Sequence, residues 1–332
     1  MSEVTPVLTD PGAVGSASSA MGGGPKREGV GGKVYRRVST VRGPVLWFIV
    51  AVWSLPTFGL LASSVRSRDE QASSGWWNIF GGLDKVTLDN YRTVLNSKGT
   101  ASLSKSLLNS VAIAVPATLI PIAIAAFAAY AFAWIDFRGR KWMFIATVSL
   151  LAIPLQVALI PLLQLFVGGA HVTVPVLHKV VTLFPDLDLA GKTTAVWLTH
   201  TGFALPFAIF LIHNYISGLP KDLFEAARID GADHFTVFWR LVLPLSVPVL
   251  AAFGIFQFLW TWNDYLIANT LVGSNPDAVP TTIRIANLAG DFGLNEFLLP
   301  AGAFVQAFVP LVVFFALQRY FVRGLLAGSV KG

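Results

Sequence analysis

Gly191-Lys192-Thr193 has the ending of a phosphate-binding loop, in which backbone N–H groups and a lysine cradle phosphates. The glycine that opens that pattern falls at position 186, which is aspartate, so no nucleotide site is expected in this chain. The histidines, His171, His178, His200, His213 and His234, never take the His-Glu-x-x-His spacing of a zinc hydrolase. The sequence has no cysteine, which removes disulfides, thiolate metal sites and cysteine nucleophiles. Covalent catalysis has no constellation to rest on, and no catalytic residue, metal or cofactor is expected. One polar segment is left: Glu225-Ala-Ala-Arg-Ile-Asp-Gly-Ala-Asp233, set between long apolar stretches. Its paired alanines add little bulk at helical spacing, so a helix there can sit close against another surface. The chemistry of that segment is recognition.

The elements that must position it are apolar. Hydrophobic residues make up 54% of the 332, charged residues 13%, and the mean hydropathy is +0.65, whereas soluble domains carry about 25% charged residues. Six apolar runs stand out at 44–63, 106–135, 142–170, 193–220, 241–270 and 297–318, the fifth interrupted by Asp264. Each can cross about 30 Å of hydrocarbon at about 1.5 Å per residue. The expected fold class is therefore all-α, a polytopic membrane protein with six transmembrane helices. Residues 1–43 are expected to form a disordered cytoplasmic tail, Gly- and Ser-rich up to about residue 32 and basic thereafter. Residues 44–332 form the six-span domain. The prolines in these runs, from Pro116 to Pro310, are read as ordinary bends satisfied by neighbouring helices ahead of any gating role.

Lysine and arginine in short loops set the orientation. The segment before the first span carries six of them, the gap after the second has Arg138, Arg140 and Lys141, the gap after the fourth has Lys221, Arg228 and Arg240, and the end has Arg319, Arg323 and Lys331. All fall on one side, expected to be the cytoplasm, with both termini. The formal charge of +6 follows this pattern, and no basic stripe suited to nucleic acid is present. The Glu225 segment then lies in a cytoplasmic loop over about 220–244. A short helix is expected over about 221–230, with Pro220 near its start, Gly231 breaking it, and a second stretch over 235–243 leading back to the membrane. Phe235, Phe238 and Trp239 are expected to anchor the loop, passing a push to spans four and five. On the residues alone, an amphipathic loop lying in the lipid interface is an equal reading.

Glu225-Ala-Ala-x-x-Asp-Gly-Ala, followed by Phe238 and Leu243-Pro244-Leu-x-x-Pro248, resembles the EAA loop of bacterial ABC importer permeases. The resemblance runs over about 44–332. It takes in Asn90-Tyr91, Asn109-Ser110, Phe137-Arg-Gly-Arg140, Ile153-Pro154, Ile160-Pro161, the segment from Phe256 to Asn263 and the ending from Arg319 to Gly332. Together these are similar to the carbohydrate-uptake branch, and to its smaller, six-span maltose permease. The resemblance implies a type I ABC importer permease fold in a bacterial inner membrane. It implies partnership with a second permease, two ATPase subunits that hold the ATP and Mg, and an extracytoplasmic sugar-binding protein. It also implies that Glu225, Ala226, Ala227, Asp230, Gly231 and Ala232 couple this chain to an ATPase.

Polar groups inside the spans are candidates for a solute path: Asn109, Gln257, Trp260 and Asn263, with Gln156, Gln164 and Asp264 beside them. Interhelical hydrogen bonding is the commoner use of such residues, and Trp260 and Trp262 suit an interface anchor as well as a sugar ring. The segment from Arg66 to Trp77 is similar to segments in α-glucoside permeases, which points to maltose, trehalose or a related sugar. The alternative class is an ion-coupled secondary transporter working without an ATPase, which usually needs a carboxylate near the midplane of the bundle. Asp264 is the single acid within the spans.

Overall fold

The structure is a computed structural model that describes residues 30–82, 86–96, 102–174, 179–273, 275–290 and 295–329. It divides into two compact units, 1–56 and 57–332. In the first, the described backbone is helical throughout, as the greater part of α1 (Val30–Ser64). This helix begins well inside the expected tail. No proline stands between Val30 and Arg42, so nothing breaks the hydrogen-bond ladder carried back from the apolar span. The rest of that tail lies outside the described residues.

The second unit continues with α2 (Arg68–Ser73), a 3-10 turn at Trp76–Gly81 and α3 (Asp89–Asn96). This first loop folds around Arg66, whose guanidinium is 1% exposed and donates to the carbonyls of Glu70 and Ser74 and to Ser74 Oγ. Asn90 Nδ2 donates to the carbonyls of Ser64 (3.0 Å) and Arg66 (2.7 Å), while the Tyr91 hydroxyl lies 2.8 Å from Ser64 Oγ. Arg66 and Asn90-Tyr91 thus hold the end of α1.

Next come α4 (Leu103–Trp134), α5 (Arg140–Ser149) and α6 (Leu155–Gly168). The third apolar run, expected as one span, is two helical pieces, 140–152 and 155–168, bent by 101°. Pro154 explains the break: its ring disfavours helical backbone at the preceding residue, and Ile153 is extended with ψ 118°. The second piece ends at Gly168, two residues short of the expected end. Residues Ala170–Val174 and Lys179–Phe184 are strands β1 and β2 of an antiparallel hairpin, the one named sheet among the described residues. Their Val/Thr-rich sequence favours strand, and the all-α expectation is amended to that extent.

The chain then forms α7 (Thr193–Ser217), α8 (Lys221–Ile229), α9 (His234–Val237), a π-helical turn at Phe238–Val242 and α10 (Leu243–Trp262). It ends with α11 (Leu266–Val272), α12 (Thr281–Ala289) and α13 (Leu299–Ser329). Among the described residues, five helices are long and apolar enough to span a membrane, six if the bent pair is one span. The fifth stops at Asn263 rather than near 270. Asp264 carries the reason: its carboxylate accepts the N–H groups of Ile267 and Ala268 (3.3 and 2.9 Å), starting α11 as a separate helix.

Helices α4 and α7 pack at the centre of this unit, with α10 against both and α13 against α10. The α4 and α7 surfaces carry fully buried Ala117, Ala125, Ala129, Ala195 and Ala208. Between membrane helices, where lipid gives no hydrophobic drive to associate, small residues allow the close approach that packing forces need. Gly254 serves α10 in the same way, since a Cβ there would lie 3.2 Å from Ile122.

Candidate coupling site

Helix α8 and the turn after it follow from the motif's own residues. Asp230 caps the helix, and Gly231, at φ +75°, takes the left-handed conformation that favours glycine. The Gly231 N–H donates to the Arg228 carbonyl (3.0 Å) and the Ala232 N–H to the Ala227 carbonyl (2.9 Å), the two bonds of a Schellman termination. That motif is accompanied by an apolar contact between the residues that flank it, and Ala227 and Ala232 both pack on the same buried cluster. Asp233 then caps α9, accepting the Thr236 N–H at 2.8 Å, and the bonds to Thr236 hold its carboxyl below the usual carboxylate range. The second stretch therefore begins at His234 and runs on without a break into α10.

Pro244 shapes that junction. A proline ring clashes with the carbonyl four residues before it, here Arg240, and the π turn at Phe238–Val242 widens the helix across this position.

Of the three expected anchors, Phe238 is buried, while Trp239 touches Phe127 only edge-on and Phe235 is exposed. Phe235 is 67% exposed and Trp239 half-exposed, whereas Phe224 and Phe238 are each 4% exposed. Phe224 stacks on Trp134 with ring centroids 3.6 Å apart and planes 15° from parallel. Phe238 stacks on Phe127 (4.5 Å, 23°) and lies 5.5 Å from the Tyr130 ring. The Tyr130 hydroxyl is 2.9 Å from His234 Nδ1, and Trp134 Nε1 donates to the Ile216 carbonyl at 3.3 Å. The grip comes from α4, through Phe127, Tyr130 and Trp134. Sequence reasoning missed these residues and His234. A cleft of about 170 Å³ runs between the two arms of the loop, floored by Tyr130 and Trp134 and rimmed by Arg228 and Asp233.

Glu225, Ala226, Asp230 and Gly231 face outward, Ala227 and Ala232 inward. Among the described residues the Glu225 carboxylate has no hydrogen-bond or ion-pair partner. An anchored helix thus presents Ala226, Ile229 and an acid without a partner among the described residues.

The solute-path candidates are not brought together. Asn109 Nδ2 donates to the carbonyls of Asp277 (3.0 Å) and Val279 (3.1 Å), and its neighbour Ser110 lies 2.9 Å from Thr281 Oγ1, stitching the start of α4 to α12. Gln257 is buried, donating to the Ala117 carbonyl at 3.2 Å. Trp262 is 2% exposed and donates to the Gln306 carbonyl, which removes it as an interface anchor. Trp260 is part-buried, while Asn263, Gln156 and Gln164 are exposed. Asp264 lies 3.5 Å from the buried His200, a pair that the sequence separates by most of α7, the coupling loop and α10.

The profile of the family described as "binding-protein-dependent transport system inner membrane component" matches residues 121–327. The chain belongs to this family. The permease is 50% identical over 286 residues to the osmoprotective compounds uptake permease protein GgtD of Synechocystis, covering 85% of this chain and 89% of that one. It is 39% identical to the alpha-glucoside transport system permease protein AglG of Rhizobium meliloti, covering 88% and 98%. Its fold matches the crystal structure of a bacterial ABC transporter that imports the acidic polysaccharide alginate, with a TM-score of 0.64 at 19% identity, over 86% of this chain and 97% of that one. The permease is thus a multi-pass membrane subunit of the ABC importer class. Like other permease subunits it has no ATPase site, and ATP hydrolysis belongs to a separate subunit.

Proposed function

We propose that this permease forms half of the translocation pathway of an ATP-driven, binding-protein-dependent importer of α-glucosides, paired with a second, related permease. Two ATPase subunits dock on the two coupling loops, and an extracytoplasmic binding protein delivers the sugar. The single observation that carries the reading is the exposed, Schellman-terminated α8, whose Glu225 is free while its Phe224 is locked into the bundle. Closure of the ATPase dimer would draw the loops together and rock the bundle from inward- to outward-facing. The family supports a bacterial inner-membrane location, and the lysine and arginine distribution supports both termini being cytoplasmic. Trp260 and Asn263 keep some exposed surface and are the better candidates for the solute path.

Names of relatives support the substrate class: one takes up osmoprotective compounds, another α-glucosides. A neutral α-linked glucoside that also serves as a compatible solute, such as trehalose, satisfies both, and maltose satisfies the second. Uptake of labelled trehalose and maltose into proteoliposomes holding the full complex tests this, with ATP inside or absent. ATP-dependent uptake of at least one is expected. Uptake by the permease alone under a proton or sodium gradient, without ATP, would establish the ion-coupled alternative instead.

A further inference from the structure

We propose that the driven element of the bundle is the cytoplasmic end of α4, and that Tyr130, Trp134 and His234 are positioning residues that fix the angle between coupling loop and bundle. This rests on the ATP-driven reading above. A loop in the chain between α7 and α10 would by connectivity move those two helices. The structure gives it a third, non-covalent attachment. Phe127, Tyr130 and Trp134 occupy positions i, i+3 and i+7 of α4, one face of the helix. That face holds both arms of the loop: Trp134 stacks on Phe224 of α8, and Tyr130 and Phe127 hold His234 and Phe238 on the returning arm.

Stacked rings resist sliding and tilting, and the Tyr130–His234 bond fixes the returning arm. A displacement of α8 is therefore passed to α4, and α4 packs along α7 and α10. Trp134 also donates to the carbonyl of Ile216, so α4 is tied to the end of α7 just before the loop. The cleft of about 170 Å³ between the arms opens beside the buried cluster in which Phe224, Val237 and Phe238 of the loop meet Ala126, Ala129 and Tyr130 of α4. The ring contacts and hydrogen bonds of the joint come from the three α4 side chains.

The test uses the complete complex in proteoliposomes and reads sugar moved per ATP hydrolysed, normalised to assembled complex. Trp134→Ala is expected to lower that ratio about five- to tenfold, and Tyr130→Phe, which removes only the hydroxyl, about twofold. Trp134→Phe keeps a stacking ring and is expected to restore most of the ratio. A role in folding alone would lower the amount of assembled complex and leave the ratio unchanged. An unchanged ratio in Trp134→Ala and Tyr130→Phe overturns the proposal, as does a Trp134→Phe variant no better than Trp134→Ala. If the unmodified complex moves no sugar with ATP, the ATP-driven reading fails first and the proposal with it.

Discussion

Phe224→Ala separates the anchor of the coupling helix from its docking face. Phe224 is 4% exposed and stacked on Trp134, so its removal loses buried apolar surface and one aromatic pair. Truncating a buried phenylalanine costs about 3–5 kcal/mol, of which the ring pair contributes about 1 kcal/mol. Helix α8 has nine residues, and isolated helices below about 12 residues are marginal in water, so the loss falls on the docked state of α8 itself. At about 1.4 kcal/mol per tenfold, the lower figure shifts the docked-to-open ratio about a hundredfold. Hydrogen exchange of residues 221–232 in the solubilised permease reads this directly, with faster exchange there and little change in α4 and α7. Leu223→Ala is the control, because Leu223 is 39% exposed and its truncation costs at most about 1 kcal/mol. Unchanged protection in Phe224→Ala, or equal effects of the two variants, would refute the anchoring argument.

Three further outcomes are expected. Gly231→Val forces a branched side chain into the left-handed region, at a cost of about 1–2 kcal/mol, although its Cβ would meet no atom within 4 Å; Gly231→Asn is expected to be milder, and ATPase affinity in a pull-down ranks the three. Asp233 has a carboxyl held below its ordinary range, so its cap is fully present above the ordinary carboxylate pKa and is lost as pH falls through the depressed value. Protection at 234–237, taken relative to the intrinsic exchange rate at each pH, should fall across that acidic window in the native permease, and Asp233→Ala should remove the pH dependence. Arg66→Ala leaves the carbonyls of Glu70 and Ser74 without their charged donor, at about 1.5–3 kcal/mol for a bond to a charged group. Limited proteolysis between residues 67 and 82 should then speed up while the spans stay intact.

Much of this was legible in the chain because bilayer thickness demands long apolar runs and the loop's glycine and acids have no place inside them. Spans two, four and six fall close to where hydropathy puts them, and α8 ends within a residue of expectation because Gly231 dictates its termination. Pro154 was visible as a bend, but proline alone does not say whether a helix curves or breaks; the extended Ile153 decides it. The hairpin lies almost wholly in the gap between the third and fourth apolar runs, and its strands of five and six residues are too short to show a period. The α4 face of Phe127, Tyr130 and Trp134 was hidden for a related reason. In a helix that is apolar all round, a stripe at helical spacing carries no contrast with its surroundings. The His200–Asp264 pair needed tertiary proximity, which no spacing reveals.

Glu225 and the face of α8 around it are the proposed docking surface for a separate ATPase. Glu225→Lys tests it with little cost to folding, because the residue is exposed and has no partner among the described residues. The decisive measurement is ATP hydrolysis stimulated by sugar-loaded binding protein, in the reconstituted complex, beside the amount of ATPase retained on the permease. The variant is expected to insert normally, retain little ATPase and lose the stimulation. Normal retention with full sugar-stimulated hydrolysis would contradict the assignment.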